Sequence, residues 1–162
     1  MDKNQQDLFI TTVLSNWELA VKRASKIFDA YSDEQLLQPI APGKNRVVYL
    51  LGHLTAVHDH MLPLLGLEER KYPQLDDLFI SNPDNAATAL PPMSELRNQW
   101  TAINALLTEK LSGWTPGEWL ERHTAVSAED FAKEPHRNRL NIVLNRTGHL
   151  SYHLGQLALL KK

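Results

Sequence analysis

The sequence predicts an all-α protein, a four-helix bundle forming one domain over residues 1–162. Three observations carry that expectation. Apolar residues recur at spacings of three and four along four long segments, the period of a helix that buries one face. None of the connections between those segments reads as a strand. The composition, 43% hydrophobic and 22% charged over 162 residues, is ordinary for a globular chain long enough to bury a substantial core.

The first segment runs from about Gln5 to Tyr31 and aligns Phe9, Val13, Trp17, Ala20, Ala24, Ile27 and Phe28. The second runs from about Arg46 to Leu65, opened by Pro42-Gly43 and closed by Gly66, with Val47, Leu51, Leu54, Leu62 and Leu65 as its apolar set. The third begins after Pro91-Pro92, with Ser94 as its expected cap. It carries Leu96, Trp100, Ile103, Leu107 and Leu111 until Gly113 stops it. The fourth runs from about Asn138 to Leu160. Its glycines, Gly148 and Gly155, each cost about 1 kcal/mol against alanine, which suggests close approach by another helix or a ligand. Trp17 and Trp100 are expected in the core.

Loop lengths bear on topology. A helix of about 20 residues spans about 30 Å, so a chain returning to its start needs roughly nine extended residues. The connection from Gly66 to Pro92 is long enough, which lets the second and third helices run parallel. The connection from Ser112 to Arg137 carries Trp114, Trp119 and His123. It has a short helical turn near 127–131, where Ser127 and Asp130 have capping-box spacing. Loops of this length often serve as lids or pocket walls.

Several function classes are disfavoured. A net charge of −2 gives no basic footprint for nucleic acid. The chain has no cysteine, so neither a disulfide framework nor a thiolate ligand is available. The polar start lacks the regions of a signal peptide, and no apolar run approaches the roughly 20 residues that span a bilayer. A soluble cytoplasmic protein with no membrane partner is expected.

Chemistry concentrates in three histidines. His149 and His153 are four residues apart, about 40° round a helix, and can close on one divalent ion. His53, on the second segment, is the natural third ligand. Asn145 and Gln156 lie within about 40° of His149, and Tyr49 and His60 share the His53 face. These four are candidates for orienting ligands or contacting substrate. His60 lies two turns from His53, about 10 Å along the axis, too far for the same ion. His58 falls in the apolar stripe and reads as packing or a subunit contact, whereas His123 and His136 read as solvated. Among nearby acids, Asp59 points about 120° away from His53. Asp76-Asp77 and Glu129-Asp130 reach the site only if their loops fold over it.

Three neutral nitrogens leave a divalent ion's charge uncompensated and a coordination position open, the catalytic pattern. Zn²⁺, Ni²⁺ and Fe²⁺ all accept imidazole. Water bound there becomes a nucleophile near neutral pH, and a bound thiol ionises. Leu150, not glutamate, follows His149, so the peptidase motif His-Glu-x-x-His is absent. Any thiol must arrive with a substrate.

The elements Leu50-Leu-Gly-His53-Leu and His149-Leu-Ser-Tyr-His153-Leu-Gly-Gln156, with Pro92-Met-Ser-Glu-Leu96 opening the third helix, resemble the DinB/YfiT-like metalloenzyme superfamily over essentially the whole chain. The resemblance implies an up-down-down-up four-helix bundle and a divalent metal held by His53, His149 and His153. It also implies a frequent homodimer. Relatives there include transferases and isomerases that use low-molecular-weight thiols; others are described as metal-dependent hydrolases or stress proteins. The leading reading is a metal-dependent enzyme that activates a small thiol or water against a small electrophilic substrate. The alternative is a non-catalytic metal- or small-ligand-binding stress-response protein with no reactive open position, for example one whose shell a loop carboxylate closes. A third reading leaves the histidines as polar core residues.

Overall fold

A computed structural model describes residues 2–85 and 89–160. Its regular structure is helical, and β pairing is limited to isolated bridges between Pro39 and Arg46 and between Arg122 and Asn138. The long helices are α1 (Lys3–Ala30), α3 (Val47–Asp59), α5 (Met93–Ser112) and α8 (Arg139–Leu157). Short helices α2 (Asp33–Leu36), α4 (Met61–Leu64), α6 (Pro116–Trp119) and α7 (Ala128–Lys133) punctuate the connections, with a π-helical turn at Asp77–Ser81. Helix α3 packs on α5 and α8, and α1 packs on α8 and α5. The all-α expectation is met. Among the described residues no helix is long and apolar enough to cross a membrane.

Two element boundaries depart from expectation for identifiable reasons. The second helix does not run unbroken to Leu65 but splits into α3 and α4 at His60. Pro63 explains the break, because it has no N–H to donate and its ring crowds the carbonyl of Asp59. Ser94 does not cap α5; Pro92 stands at that position without a side-chain hydrogen bond. Elsewhere the caps follow the sequence. The Asn138 side chain accepts from the Asn141 amide at 2.9 Å, and Ser127 accepts from Asp130 at 3.0 Å to start α7.

The core runs the length of the long helices. Phe28, Leu51, Leu54, Phe79, Trp100 and Leu150 share one apolar cluster, and Trp17, Met61, Ile103, Leu107, Trp119 and Val143 share another. The expected placements of Trp17 and Trp100 hold. His58 lies between those indoles, with ring centroids 4.9 Å from Trp17 and 5.1 Å from Trp100. It is buried within the chain, which decides for packing over a subunit contact. Its Nδ1–H donates to Asn104 Oδ1 at 2.8 Å.

Burial pushes the His58 pKa down to about 3. In the unfolded chain the group ionises near 6.5, so between those values the unfolded state binds a proton that the folded state refuses. The stabilising contribution is fully present above about pH 6.5 and is lost as pH falls toward 3. Metal-free protein is therefore expected to melt at progressively lower temperature as pH drops below 6.5. His58→Gln should show a shallower fall. Equal slopes for the two proteins would contradict this.

Candidate metal centre

Local helix geometry puts His149 and His153 on one face of α8, and packing of α3 on α8 brings His53 to them. The His149 Nε2 lies 3.1 Å from His153 Nε2 and 3.4 Å from His53 Nε2. Two nitrogens on one tetrahedral ion with bonds of about 2.0–2.1 Å stand roughly 3.3 Å apart, so the spacing suits a shared divalent ion. One nitrogen from each ring lies within 4.8 Å of the others, and no carboxylate among the described residues joins the group.

The ring orientations support the same fit. The carbonyl of Phe79, in the π-helical turn, can only accept, so the 2.8 Å contact fixes the His53 proton on Nδ1 and leaves Nε2 with its lone pair. Gln156 Oε1 accepts from His153 Nδ1–H at 2.7 Å, and the Gln156 amide in turn donates to the Tyr152 hydroxyl at 3.1 Å. Carbonyl and amide partners of this kind hold a metal-binding imidazole in the correct tautomer. His149 Nδ1 is buried without a partner. Burial lowers the pKa of all three rings, that of His149 to about 4 with help from the neighbouring histidines and Arg146. They are neutral near pH 7, as ligands must be.

The other sequence candidates separate. Gln156 touches the cluster directly, through His153. The Tyr49 ring lies parallel to His53 with centroids 6.2 Å apart, and its hydroxyl donates to the Asn82 carbonyl at 2.8 Å. Tyr49 is thus a wall beside His53 and has no hydrogen bond to its nitrogens. Asn145 is exposed on α8 and has no hydrogen bond to the histidines. His60 is outside the group; its Nε2 pairs with Asp76 at 3.0 Å, and Asp76 also pairs with Arg70.

The acids considered from sequence are engaged elsewhere. Asp59 is fully buried and accepts from Arg70 Nε at 3.0 Å and from the amides of Lys71 and Tyr72 at 2.7 and 3.0 Å. Glu129 pairs with Lys133, and Asp130 bonds Ser127. His136 is exposed as expected, but His123 is not solvated: it is buried, with Nδ1 lacking a partner. Val126 and Trp119, buried in the same connection, belong to the tertiary packing that sequence periodicity could not register.

Gly52 is a site residue that helical spacing alone does not mark. A Cβ there would lie 2.6 Å from the Phe79 ring, so only glycine lets that ring press against α3 beside His53. At Gly148 and Gly155 no other helix of the chain makes the expected close approach, because a Cβ at either meets nothing within 4 Å. Close approach within the chain does not explain them.

Fold and cluster together define an all-α protein with three histidines placed to hold a divalent ion. The chain belongs to the DinB superfamily, whose sequence model matches residues 16–157. A search of curated proteins finds no match to the chain.

Proposed function

We propose that this protein is a metal-dependent enzyme in which His53, His149 and His153 hold a Zn²⁺, Ni²⁺ or Fe²⁺ ion. The convergence of three Nε2 atoms, two of them on rings oriented through Nδ1, is the observation that carries this reading. An ion held by three neutral ligands keeps its positive charge and an open position, and so lowers the pKa of a thiol or water bound there.

The chain's own residues supply orientation and enclosure. The Phe79 carbonyl and the Gln156 amide keep two ring lone pairs on the site. The Tyr49 ring lies parallel to His53 at the side of the site. Because the neighbouring carboxylates are committed to arginines, backbone amides and caps, none is positioned as a general base. This favours a low-molecular-weight thiol over water, since a thiolate needs no proton acceptor at the moment of attack. It also removes one form of the non-catalytic alternative, the one in which a loop carboxylate closes the shell.

The wider reading is a single cytoplasmic domain with its four long helices in up-down-down-up order, working as a homodimer. The test is turnover by metal-loaded protein: thiol-dependent displacement on a chromogenic aryl halide, compared with hydrolysis of a chromogenic ester. Thiol-dependent turnover that His153→Ala abolishes is the expected result. Ester hydrolysis without thiol would move the reading to a hydrolase, and neither activity over a broad panel would favour the binding protein.

A further inference from the structure

A cleft of about 410 Å³ lies one turn along the helices from the histidine cluster. That is within the size range of small-molecule sites. Its walls come from segments far apart in sequence: Val57 and His60 at the end of α3, Leu64, Ile80 in the π-helical turn, Thr124, and Arg146 on α8. Val57 is one turn beyond His53, Arg146 one turn before His149, and Ile80 follows the residue whose carbonyl holds His53.

Arg146 is the unusual member. Six arginines of the chain are partly buried, and five of them, Arg46, Arg70, Arg97, Arg137 and Arg139, each meet a carboxylate. Arg146 meets none among the described residues, and its Nε is buried without a hydrogen-bond partner. A guanidinium that gives up water without an anion is costly, so the missing partner is itself informative. The imidazoles one turn away, His149 among them, supply no counter-charge. Nearby negative charge does not offset it: Asp76, beside His60, is taken by Arg70. A divalent ion would add to this positive potential. Of the remaining walls, Val57, Pro63, Leu64 and Ile80 are apolar and Thr124 carries a hydroxyl.

We infer that this cleft receives a substrate with a carboxylate head and a short apolar body, the head paired with Arg146 and the body against Val57, Leu64 and Ile80. The Thr124 hydroxyl already donates to the Pro63 carbonyl at 3.0 Å, so Arg146 is the principal anchor. The subsite deepens the proposed function and rests on it for the chemistry that follows binding: a molecule anchored one turn from the histidines presents its reacting end to them.

The test uses hexanoate and its neutral analogue hexanamide, titrated by calorimetry into the full chain both metal-free and metal-loaded. Hexanoate should bind metal-free wild type at least about tenfold more tightly than hexanamide, the value of a charge-assisted pair, and Arg146→Gln should erase the preference. Ile80→Glu, at an exposed position on the wall, places a competing carboxylate beside Arg146 and should also abolish hexanoate binding. This second variant decides the matter if Arg146→Gln fails to fold. Equal binding of hexanoate and hexanamide, or hexanoate binding unchanged in either variant, would overturn the inference. Arg146-dependent binding by a protein that takes up no metal would leave the subsite standing without the metal centre. Metal uptake without such binding would do the opposite.

Discussion

Asp59→Ala is expected to destabilise the protein by about 3 kcal/mol, because buried donors left without an acceptor cost about 1–3 kcal/mol each, although Arg70 keeps Asp76 as a counter-ion. Asp59 is fully buried at the end of α3, and its two oxygens gather the Arg70 guanidinium and the amides of Lys71 and Tyr72. Removing it strands three donors where the connection from α4 turns back toward the π-helical segment. Asp59→Asn should recover little. An amide offers one acceptor oxygen and brings two donors of its own to a place already crowded with donors. The effect should reach the histidine cluster, because the segment released is the one that carries Phe79 and its carbonyl. Denaturant unfolding of the two variants checks this; an asparagine variant as stable as wild type would contradict it.

Gly52→Ala is the second large effect, and its sign opposes helix propensity. Alanine in a helix interior is ordinarily worth about 1 kcal/mol over glycine. Here the new methyl would stand 2.6 Å from three atoms of the Phe79 ring, which is fully buried and cannot swing into solvent. Overpacking of this kind costs about 1–3 kcal/mol, so net destabilisation is expected. The displaced ring also carries away the carbonyl that orients His53, so metal affinity should fall together with stability. Phe79→Leu in the Gly52→Ala background should restore part of both, a non-additivity expected of groups in contact. Gly148→Ala and Gly155→Ala, which meet nothing, are the controls: each should stabilise by about 1 kcal/mol. A Gly52→Ala protein that gains stability as the controls do would remove Phe79 from the account of the site.

What was legible in the sequence follows from the range of the interactions concerned. The long helices repeat their apolar period over many turns, so the pattern outweighs local exceptions. His149 and His153 were readable as a pair because four residues along a helix is a fixed local distance, and Gln156 lies close enough on the same helix to share that legibility. The short helices α2 and α6 also have local signals in the sequence. Ser32 with Gln35 and Thr115 with Glu118 each form a reciprocal capping box. Pro63 likewise announced the break at His60.

Other features had no local signature. The π-helical turn has no apolar period, and the seating of Phe79 on Gly52 joins residues 27 positions apart. The burial of His123 has no sequence signal because its cover comes from tertiary packing of a connection without periodicity. The Arg146 cleft requires α3, α8 and both long connections to be in place before it exists at all.

The most direct test of the metal centre is the metal content of tag-free protein, measured beside a variant carrying His149→Ala and His153→Ala. Wild type is expected to hold about one ion per chain after exposure to Zn²⁺, Ni²⁺ or Fe²⁺, and the double variant to hold none while keeping its helical content. A wild type that takes up none of these ions would contradict the proposed centre and leave the three histidines as polar residues of the helix interface.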